Sequence, residues 1–242
     1  MQSHTEQTDT FDDANFESKF ATLLQGFRFK VCETHEEAAE ALEVRRQVYC
    51  VDGGYSIACP DEYDHRSWIL RAEEVATGRC VGTMRLTPRF AGSFEAEEYF
   101  TLPREARASR NLEITRFAIL PEFRRDKLQM PAVAFGLFRL CFDMFQLVGS
   151  ERCVVSSKPE RSWTYTAMGF EQTGDVVAYA KLNGAVHELL ILPFHDVANL
   201  MRENPFKILF VETDFPEVIV PNRRPPLGLV PDTREFRFAV GA

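Results

Sequence analysis

The stretch NLEITRFAILPEFRRDK, residues Asn111–Lys127, decides the fold. Its first half is rich in Leu, Ile and Phe and is bounded by Pro121, which is the pattern of a buried strand. Glu113 and Arg116 interrupt that apolar pattern. Because a charge taken out of water is costly unless it is paired or used, we predict that these two side chains serve a functional site.

An alternative interpretation of Glu113 and Arg116 needs no function. The two residues would pair with each other on an exposed strand edge. Side chains three positions apart on a regular strand point to opposite faces of the sheet, so this mutual ion pair does not follow from their spacing. The burial of the two side chains and the identity of their partners distinguish the two interpretations.

The segments around this strand predict helices and strands in a mixed order. FRFKVCET alternates as a strand does, and THEEAAEALEVRRQVYCV comes next with a helix cap at Thr34 and apolar residues at helical spacing. WILRAEE and RCVGTMRLT flank the turn VATG and predict a hairpin. After the Asn111–Lys127 stretch, the run MPAVAFGLFRLCFDMFQLVG predicts a long buried helix. The last elements are a strand in RCVVSSK, a short helix in ERSWTYTAMGF, and a hairpin of DVVAYAKL with VHELLIL.

This order of elements predicts the fold class and the domain organisation. Hairpins mixed with crossovers predict an α/β (α+β) fold in which helices flank a central mixed sheet. A doubly wound nucleotide fold is excluded because no glycine fingerprint comes after the first strand. Residues 1–15 are polar and lack periodicity, which predicts a disordered or loosely attached tail. Residues 16–242 are predicted to form a single domain with an elaborated segment from about residue 195.

Composition restricts the function classes. The formal net charge of -8 argues against nucleic-acid binding, which needs a basic surface to neutralise phosphates. No apolar stretch approaches the roughly 18 residues of a transmembrane segment. The six cysteines form no CxxC pair and no cluster with histidine, which predicts reduced thiols, no metal site and a cytoplasmic location.

Four motifs, in this order, resemble one family. VRRQVYCVDGGY, DEYDHRSWILRAEEVATGRCVGTMRLTP, LEITRFAILPEFRRD and ERSWTYTAMGF are similar to the autoinducer-synthase-type branch of the GNAT-like acyltransferases, over about residues 44–170. The branch contains acyl-homoserine lactone synthases, N-acyl amino acid synthases and the PEP-CTERM exosortase-associated acyltransferases. Tyr55 stands where lactone synthases commonly carry tryptophan, so YCVDGGY resembles the other two groups more closely.

The resemblance implies a GNAT-like sheet and an N-acyltransferase. A medium or long acyl chain would move from acyl carrier protein, or from CoA, to the amine of an amino acid or similar small molecule, with no tightly bound cofactor. One alternative is an acyl-homoserine lactone synthase that uses S-adenosylmethionine. An alternative of another class is a non-catalytic module that binds an acyl chain or a carrier protein.

The resemblance also implies roles for individual residues. Glu113 is the predicted base for the attacking amine, with Arg116 as its catalytic partner. The remaining charged positions have two interpretations. They could form a charge network that recognises the polar end of the acceptor. They could instead be a solvated helix face and an ordinary capping pair in a turn. The predicted substrate-binding residues are Arg45, Tyr49, Tyr55, Asp61, Asp64, Arg85 and Trp163.

The donor site is predicted from the segment directly after the Glu113 strand. Acetyl-CoA-using GNAT enzymes carry a glycine-rich phosphate-binding turn here, but FRRDKLQMP contains no glycine. Arg124, Arg125 and Lys127 would instead form a basic rim for a phosphopantetheine phosphate or an acidic carrier protein, unless they are ordinary solvated charges. Aromatic residues further along the chain predict an acyl tunnel or, equally well, core: Phe135, Phe138, Phe142, Phe145, Trp163 and Tyr165.

Overall fold

The computed structural model describes residues 18, 21–124, 132–194, 209 and 215–230. Within them the strands are β1 Phe27–Val31, β2 Trp68–Glu74, β3 Cys80–Pro88, β4 Leu112–Ile119, β5 Arg152–Ser157, β6 Glu171–Tyr179, β7 Ala185–Pro193 and β8 Val218–Ile219. The α-helices are α1 His35–Arg46, α2 Ala132–Val148 and α3 Ser162–Ala167.

The eight strands form one mixed sheet in the order β6-β7-β5-β4-β3-β2-β1-β8. Neighbouring strands are antiparallel except for the pairs β4 with β5 and β1 with β8, which are parallel. The predicted α+β fold with helices around a mixed sheet is therefore confirmed, as is the order of elements from β1 to β7. Strand β8 was not predicted. Residues 1–15 and most of the segment after 195 lie outside the described residues, so the domain boundaries stay a prediction.

Helix α1 begins where the sequence predicts. The side chain of Thr34 accepts a hydrogen bond from the backbone N–H of Glu37 at 3.2 Å, and Glu36 and Glu37 place negative charge in the first turn. The helix continues into a π-helix at Gln47–Asp52. Such segments are rare and frequently mark functional sites. This one carries Tyr49, and its neighbour Arg45 is the last buried residue of α1.

The two long helices cover opposite faces of the sheet. Helix α2 packs closely on one face: a Cβ added at Gly136 would lie 2.2 Å from the ring of Phe29. Helix α1 covers the other face, where Arg71 of β2 pairs with Glu40 at 2.9 Å. The four phenylalanines predicted to line either a tunnel or the core are buried in the core on the α2 side: Phe135, Phe138, Phe142 and Phe145.

Strand β4 is irregular at two points that shape the site. It pairs with β5 only over Leu112–Ile114, so the two parallel strands diverge beyond Ile114. Arg116 has a positive φ of 54°, and the pairing of β4 with β3 changes register beside it. This is a β-bulge, which changes the direction of the next side chains along the strand. The bulge directs the side chain of Arg116 towards the charged groups that also surround Glu113 and Thr115 of β4.

Candidate active site

The site is built on the sheet face that α1 covers. Strand register places Arg85 of β3 opposite Thr115 of β4, and Arg85 Nε donates a hydrogen bond to Thr115 Oγ1 at 2.8 Å. The side chains of Glu113 and Arg116 are buried, with relative exposures of 0% and 7%. The interpretation of these two residues as an exposed surface pair is therefore wrong.

Two carboxylates bridge the guanidinium groups of β3 and β4. Asp61 accepts hydrogen bonds from Arg85 Nη1 at 2.5 Å and from Arg116 Nε at 3.0 Å. Glu95 Oε1 accepts from Arg116 Nη2 at 2.6 Å, and its other oxygen accepts from Arg85 Nη2. Although burial opposes ionisation, the neighbouring guanidinium groups hold the pKa of Asp61 well below its usual range. The pairing of each charge offsets the cost of its burial.

Arg45 extends this network to α1. Its Nη1 donates to Asp64 Oδ1 at 2.6 Å, and both side chains are fully buried. The other oxygen of Asp64 accepts the backbone N–H of Asp61 at 2.7 Å, which fixes the loop before β2. The Nε and Nη2 atoms of Arg45 are buried and have no hydrogen-bond partner among the described residues. These two atoms form the edge of a guanidinium that binds a carboxylate in bidentate fashion.

Glu113 is held by backbone rather than by Arg116. Its two carboxyl oxygens accept hydrogen bonds from the N–H groups of Glu95 at 2.9 Å and Ala96 at 2.8 Å. Burial, and then the negative charge of Glu95, raise the pKa of Glu113 from 4.5 to about 7. The two N–H groups and Arg85 oppose this rise without cancelling it. Glu113 and Arg116 are therefore linked through Glu95, whose backbone N–H binds Glu113 and whose carboxylate binds Arg116.

The formal charges of the network favour a protonated Glu113. With every acid ionised, four carboxylates face three guanidinium groups, and protonation of Glu113 makes the numbers equal. A carboxyl whose pKa lies near neutrality accepts and releases a proton readily. The network consists of Arg45, Arg85, Arg116, Asp61, Asp64, Glu95 and Glu113.

Two tyrosines lie beside the gap between β4 and β5. Tyr49 of the π-helix donates from its hydroxyl to the carbonyl oxygen of Phe117 at 3.1 Å. The hydroxyl of Tyr55 accepts a hydrogen bond from Lys158 Nζ at 2.8 Å, just beyond the end of β5. The centroids of the two tyrosine rings are 6.2 Å apart. Tyr49 thus lies next to the charge network, and Tyr55 lies next to Tyr49.

Two other predicted site residues, Trp163 and Arg124, are not brought into this cluster. Trp163 on α3 is 54% exposed, so its side chain does not line an enclosed apolar channel here. Arg124 is exposed and donates from Nε to the carbonyl oxygen of Ile119 at 2.6 Å, near the end of β4. Arg125 and Lys127 lie outside the described residues. The basic rim therefore stays a prediction.

Sequence reasoning misses Glu95. The segment from Pro88 to Arg110 is irregular and of mixed charge, so the sequence predicts a short helix plus loop there and assigns no role to any residue in it. The run FEAEE contains the only available signal, three acids beside a phenylalanine that turns out to be fully buried. Across the described part of the chain, no group of three or more His, Cys, Asp or Glu side chains could hold a metal ion.

A mixed sheet whose parallel β4 and β5 diverge beside a buried charge network defines a GNAT-like acyltransferase. The family is narrower than that class. The sequence model of the family described as N-acyl amino acid synthase FeeM matches residues 40–192, and the chain belongs to this family. Comparison with curated proteins gives no match.

Solved structures share the fold. FeeM, an N-acyl amino acid synthase from uncultured soil microbes, superposes with a TM-score of 0.61 at 17% identity, over 77% of this chain and 98% of that chain. The CoA-dependent acyl-homoserine lactone synthase BjaI, solved with SAM and isopentyl-CoA, gives 0.57 at 17% identity, over 84% and 97%. TofI, solved with an inhibitor and MTA, gives 0.53 at 15% identity, over 75% and 99%. In the part of the chain that is described, no helix is long and apolar enough to cross a membrane.

Proposed function

We propose that this acyltransferase moves a medium or long acyl chain from the thioester of acyl carrier protein, or of CoA, to the amine of an amino acid. Membership of the N-acyl amino acid synthase family supports this substrate class. The observation that carries the mechanism is the buried carboxyl of Glu113, whose pKa of about 7 suits a base that works near neutral pH.

In the proposed reaction, the acceptor nitrogen attacks the thioester carbonyl. The new C–N bond forms and the C–S bond breaks. Glu113 takes the proton that the amine nitrogen loses, and the leaving thiolate then receives a proton from Glu113 or from solvent, which restores the ionised carboxylate. An ionised carboxylate has about four acceptor positions, and backbone N–H groups fill two of them at Glu113. The remaining positions can receive a proton directly or through a relay. The charge network fixes the orientation of this carboxylate.

The thioester is proposed to lie where β4 and β5 diverge. Beyond Ile114, β5 provides no hydrogen-bond partners for the side of β4 that faces it. Strand N–H groups there would steady the oxygen of the tetrahedral intermediate. Tyr49 already reaches this side of the strand, through its bond to the carbonyl of Phe117. The basic rim that includes Arg124 would receive the donor's phosphate at the same end of β4.

The acceptor carboxylate is proposed to bind Arg45. The guanidinium groups of Arg85 and Arg116 are already paired with Asp61 and Glu95, whereas two donors of Arg45 have no partner among the described residues. Because Arg45 is fully buried, its neighbouring loop must open to admit an acceptor. Gly53 and Gly54 lie in that loop, and the φ of 66° at Gly54 suits glycine.

Arg45→Lys tests this assignment. Lysine keeps the positive charge but cannot form the bidentate pair, so we expect KM for an amino acid acceptor to rise at least tenfold while KM for the acyl donor changes little. The control is the matching amine without a carboxylate, for which wild type and variant should perform equally. A parallel loss of kcat with both acceptors would contradict the assignment.

The reaction itself is tested with acylated carrier protein, acyl-CoA and a panel of acceptors, with products identified by mass spectrometry. N-acyl amino acids are the expected product. Lactone formed only with S-adenosylmethionine would establish the lactone synthase alternative instead. No transfer with any acceptor would favour the non-catalytic binding module. Glu113→Gln should abolish transfer, and unchanged transfer would remove Glu113 from its assigned role.

A further inference from the structure

A pocket lies away from the charge network, at the end of the sheet where β3 ends and β4 begins. Its volume is about 560 Å³. Three arginines line it, and Glu105 is the one acid among its lining residues. On a chain with a net charge of -8, this is a local concentration of positive charge. The lining residues are Arg89, Arg104, Glu105, Arg107 and Ala108.

The guanidinium groups in this pocket are poorly paired. Those of Arg104 and Arg107 form no hydrogen bond or ion pair with any residue that the structure describes. Arg89 Nη1 donates to the carbonyl oxygen of Gly92 at 2.9 Å, and Nη2 lies 3.4 Å from Glu97 Oε1. The Nε atom of Arg89 is buried and has no partner among the described residues. Buried donors are normally satisfied, so an acceptor is expected here.

The pocket is separate from the proposed donor rim. Strand β4 contains eight residues. A strand rises about 3.3 Å per residue, so its two ends lie roughly 25 Å apart. Arg89 comes directly after β3, at the end of the sheet where β4 begins, while Arg124 lies beyond the end of β4. One phosphate group therefore cannot contact both.

We propose that the pocket binds a phosphate-bearing anion. Several guanidinium groups around one pocket match phosphate oxygens through paired N–H groups, and Arg binds such groups more specifically than Lys. Two sources share this chemistry: a free phosphorylated small molecule, and the phosphates of a CoA donor. The first source is independent of the proposed acyl transfer, whereas the second would place a phosphate of the donor here instead of at the rim that includes Arg124.

Binding of an anion in the pocket would affect the active site through the backbone of the segment between them. Arg89 lies next to Glu97, whose other carboxyl oxygen accepts the N–H of Phe94 at 2.7 Å. The next two N–H groups, of Glu95 and Ala96, are those that hold Glu113. An anion that holds Arg89 in place beside Glu97 would fix this segment. Hydrogen exchange at the amides of Glu95 and Ala96 should slow when the anion binds.

The test uses inorganic pyrophosphate as the probe and calorimetric titration of the full chain. We expect saturable binding to wild type and at least tenfold weaker binding to the double variant Arg104→Gln/Arg107→Gln. The matched control is Arg28→Gln/Arg79→Gln, which removes the same charge from two arginines that are half exposed elsewhere. The absence of saturable binding to wild type, or equal weakening in both variants, would overturn the proposal.

Three further measurements complete the test. Thermal unfolding of both double variants should match wild type, since all four side chains lie outside the core; Arg107→Glu alone is the substitute if the first variant does not fold. Displacement of pyrophosphate by CoA would identify the donor's phosphates as the ligand, and binding that CoA leaves unchanged would identify a free phosphorylated molecule. Glu113→Gln should still bind pyrophosphate saturably although it no longer transfers acyl groups, so loss of acyl transfer and loss of this site are distinguishable.

Discussion

At the scale of the residue, Glu113 combines two features that shift its pKa in opposite directions. It is completely buried, and it accepts two backbone hydrogen bonds that favour its ionised form. Its pKa still rises to about 7, because burial and the charge of Glu95 outweigh those bonds. The sequence left open which effect would prevail, and the answer depends on Glu95, which lies 18 positions away.

The raised pKa of Glu113 predicts opposite pH dependences for activity and stability. Activity should rise with pH to a plateau above about 7, because the base must be ionised. A carboxyl that holds its proton more tightly when folded stabilises the protein fully below its unfolded pKa, near 4.5, and loses that contribution as pH rises through 7. The loss should not exceed about 3 kcal/mol.

Urea unfolding of wild type and Glu113→Gln between pH 5 and pH 8 measures the stability effect. Wild type should lose stability relative to the variant as pH rises over that range, since glutamine does not titrate. A difference that stays constant with pH would contradict a raised pKa at Glu113. A pH–rate profile for kcat/KM of wild type measures the activity effect independently.

Glu95 is predicted to contribute strongly to the stability of the network. Glu95→Gln leaves the buried guanidinium groups of Arg85 and Arg116 bridged by the charge of Asp61 alone, which should destabilise the protein by about 3–5 kcal/mol. The pKa of Glu113 should fall in the same variant, because a neighbouring negative charge is removed. Glu98 lies in the same 3-10 helix, Glu95–Glu98, where it pairs with Lys181 and accepts a hydrogen bond from the hydroxyl of Tyr63. Because glutamine can still accept that hydrogen bond and the ion pair is partly exposed, Glu98→Gln should cost less than about 1 kcal/mol. Equal costs in denaturant titrations would show that the network is not stabilising.

At the scale of the element, strand β4 determines how the site is assembled. A regular strand would direct Glu113 and Arg116 to opposite faces. The bulge at Arg116 and the divergence of β4 from β5 together place charged side chains on one face and free strand backbone beside them. The sequence indicates the strand and its charges, but the positive φ of Arg116 has no local signal such as glycine or asparagine.

The packing of α2 on the sheet predicts a sharp difference between two glycines. Gly136→Ala would place its Cβ 2.2 Å from the buried ring of Phe29, which should destabilise the protein by about 1–3 kcal/mol. Gly26→Ala has nothing within 4 Å and should change stability by less than about 0.5 kcal/mol. Thermal unfolding of both variants measures the difference. Equal melting temperatures would mean that α2 does not approach β1 so closely.

At the scale of the whole molecule, one sheet connects distant parts of the chain. Strand β8 pairs with β1, and the indole Nε1 of Trp68 donates to the carbonyl oxygen of Pro225 at 3.0 Å. Residues near both ends of the described chain therefore contribute to the same core. If residues 16–242 form the single domain that the sequence predicts, the protein would unfold as one unit.

Equilibrium unfolding tests that cooperativity. Trp163→Phe removes the exposed indole, so that fluorescence reports only the buried Trp68 at the core. We expect the fluorescence transition and the loss of far-ultraviolet circular dichroism to coincide in urea. Two separated transitions would divide residues 16–242 into independent units. The variant itself should match wild type in stability, because Trp163 lies mostly in solvent.

The sequence alone determined the order of helices and strands from β1 to β7, because hydrophobic periodicity, helix caps and turn residues act over a few neighbouring positions. It also singled out Glu113 and Arg116 as charges in a buried strand. Only the tertiary structure decided which partners these charges meet, since the bulge at Arg116 and the approach of Glu95 depend on contacts between distant segments. The pKa of a buried acid reflects all of its surroundings, and those surroundings exist only once the chain has folded.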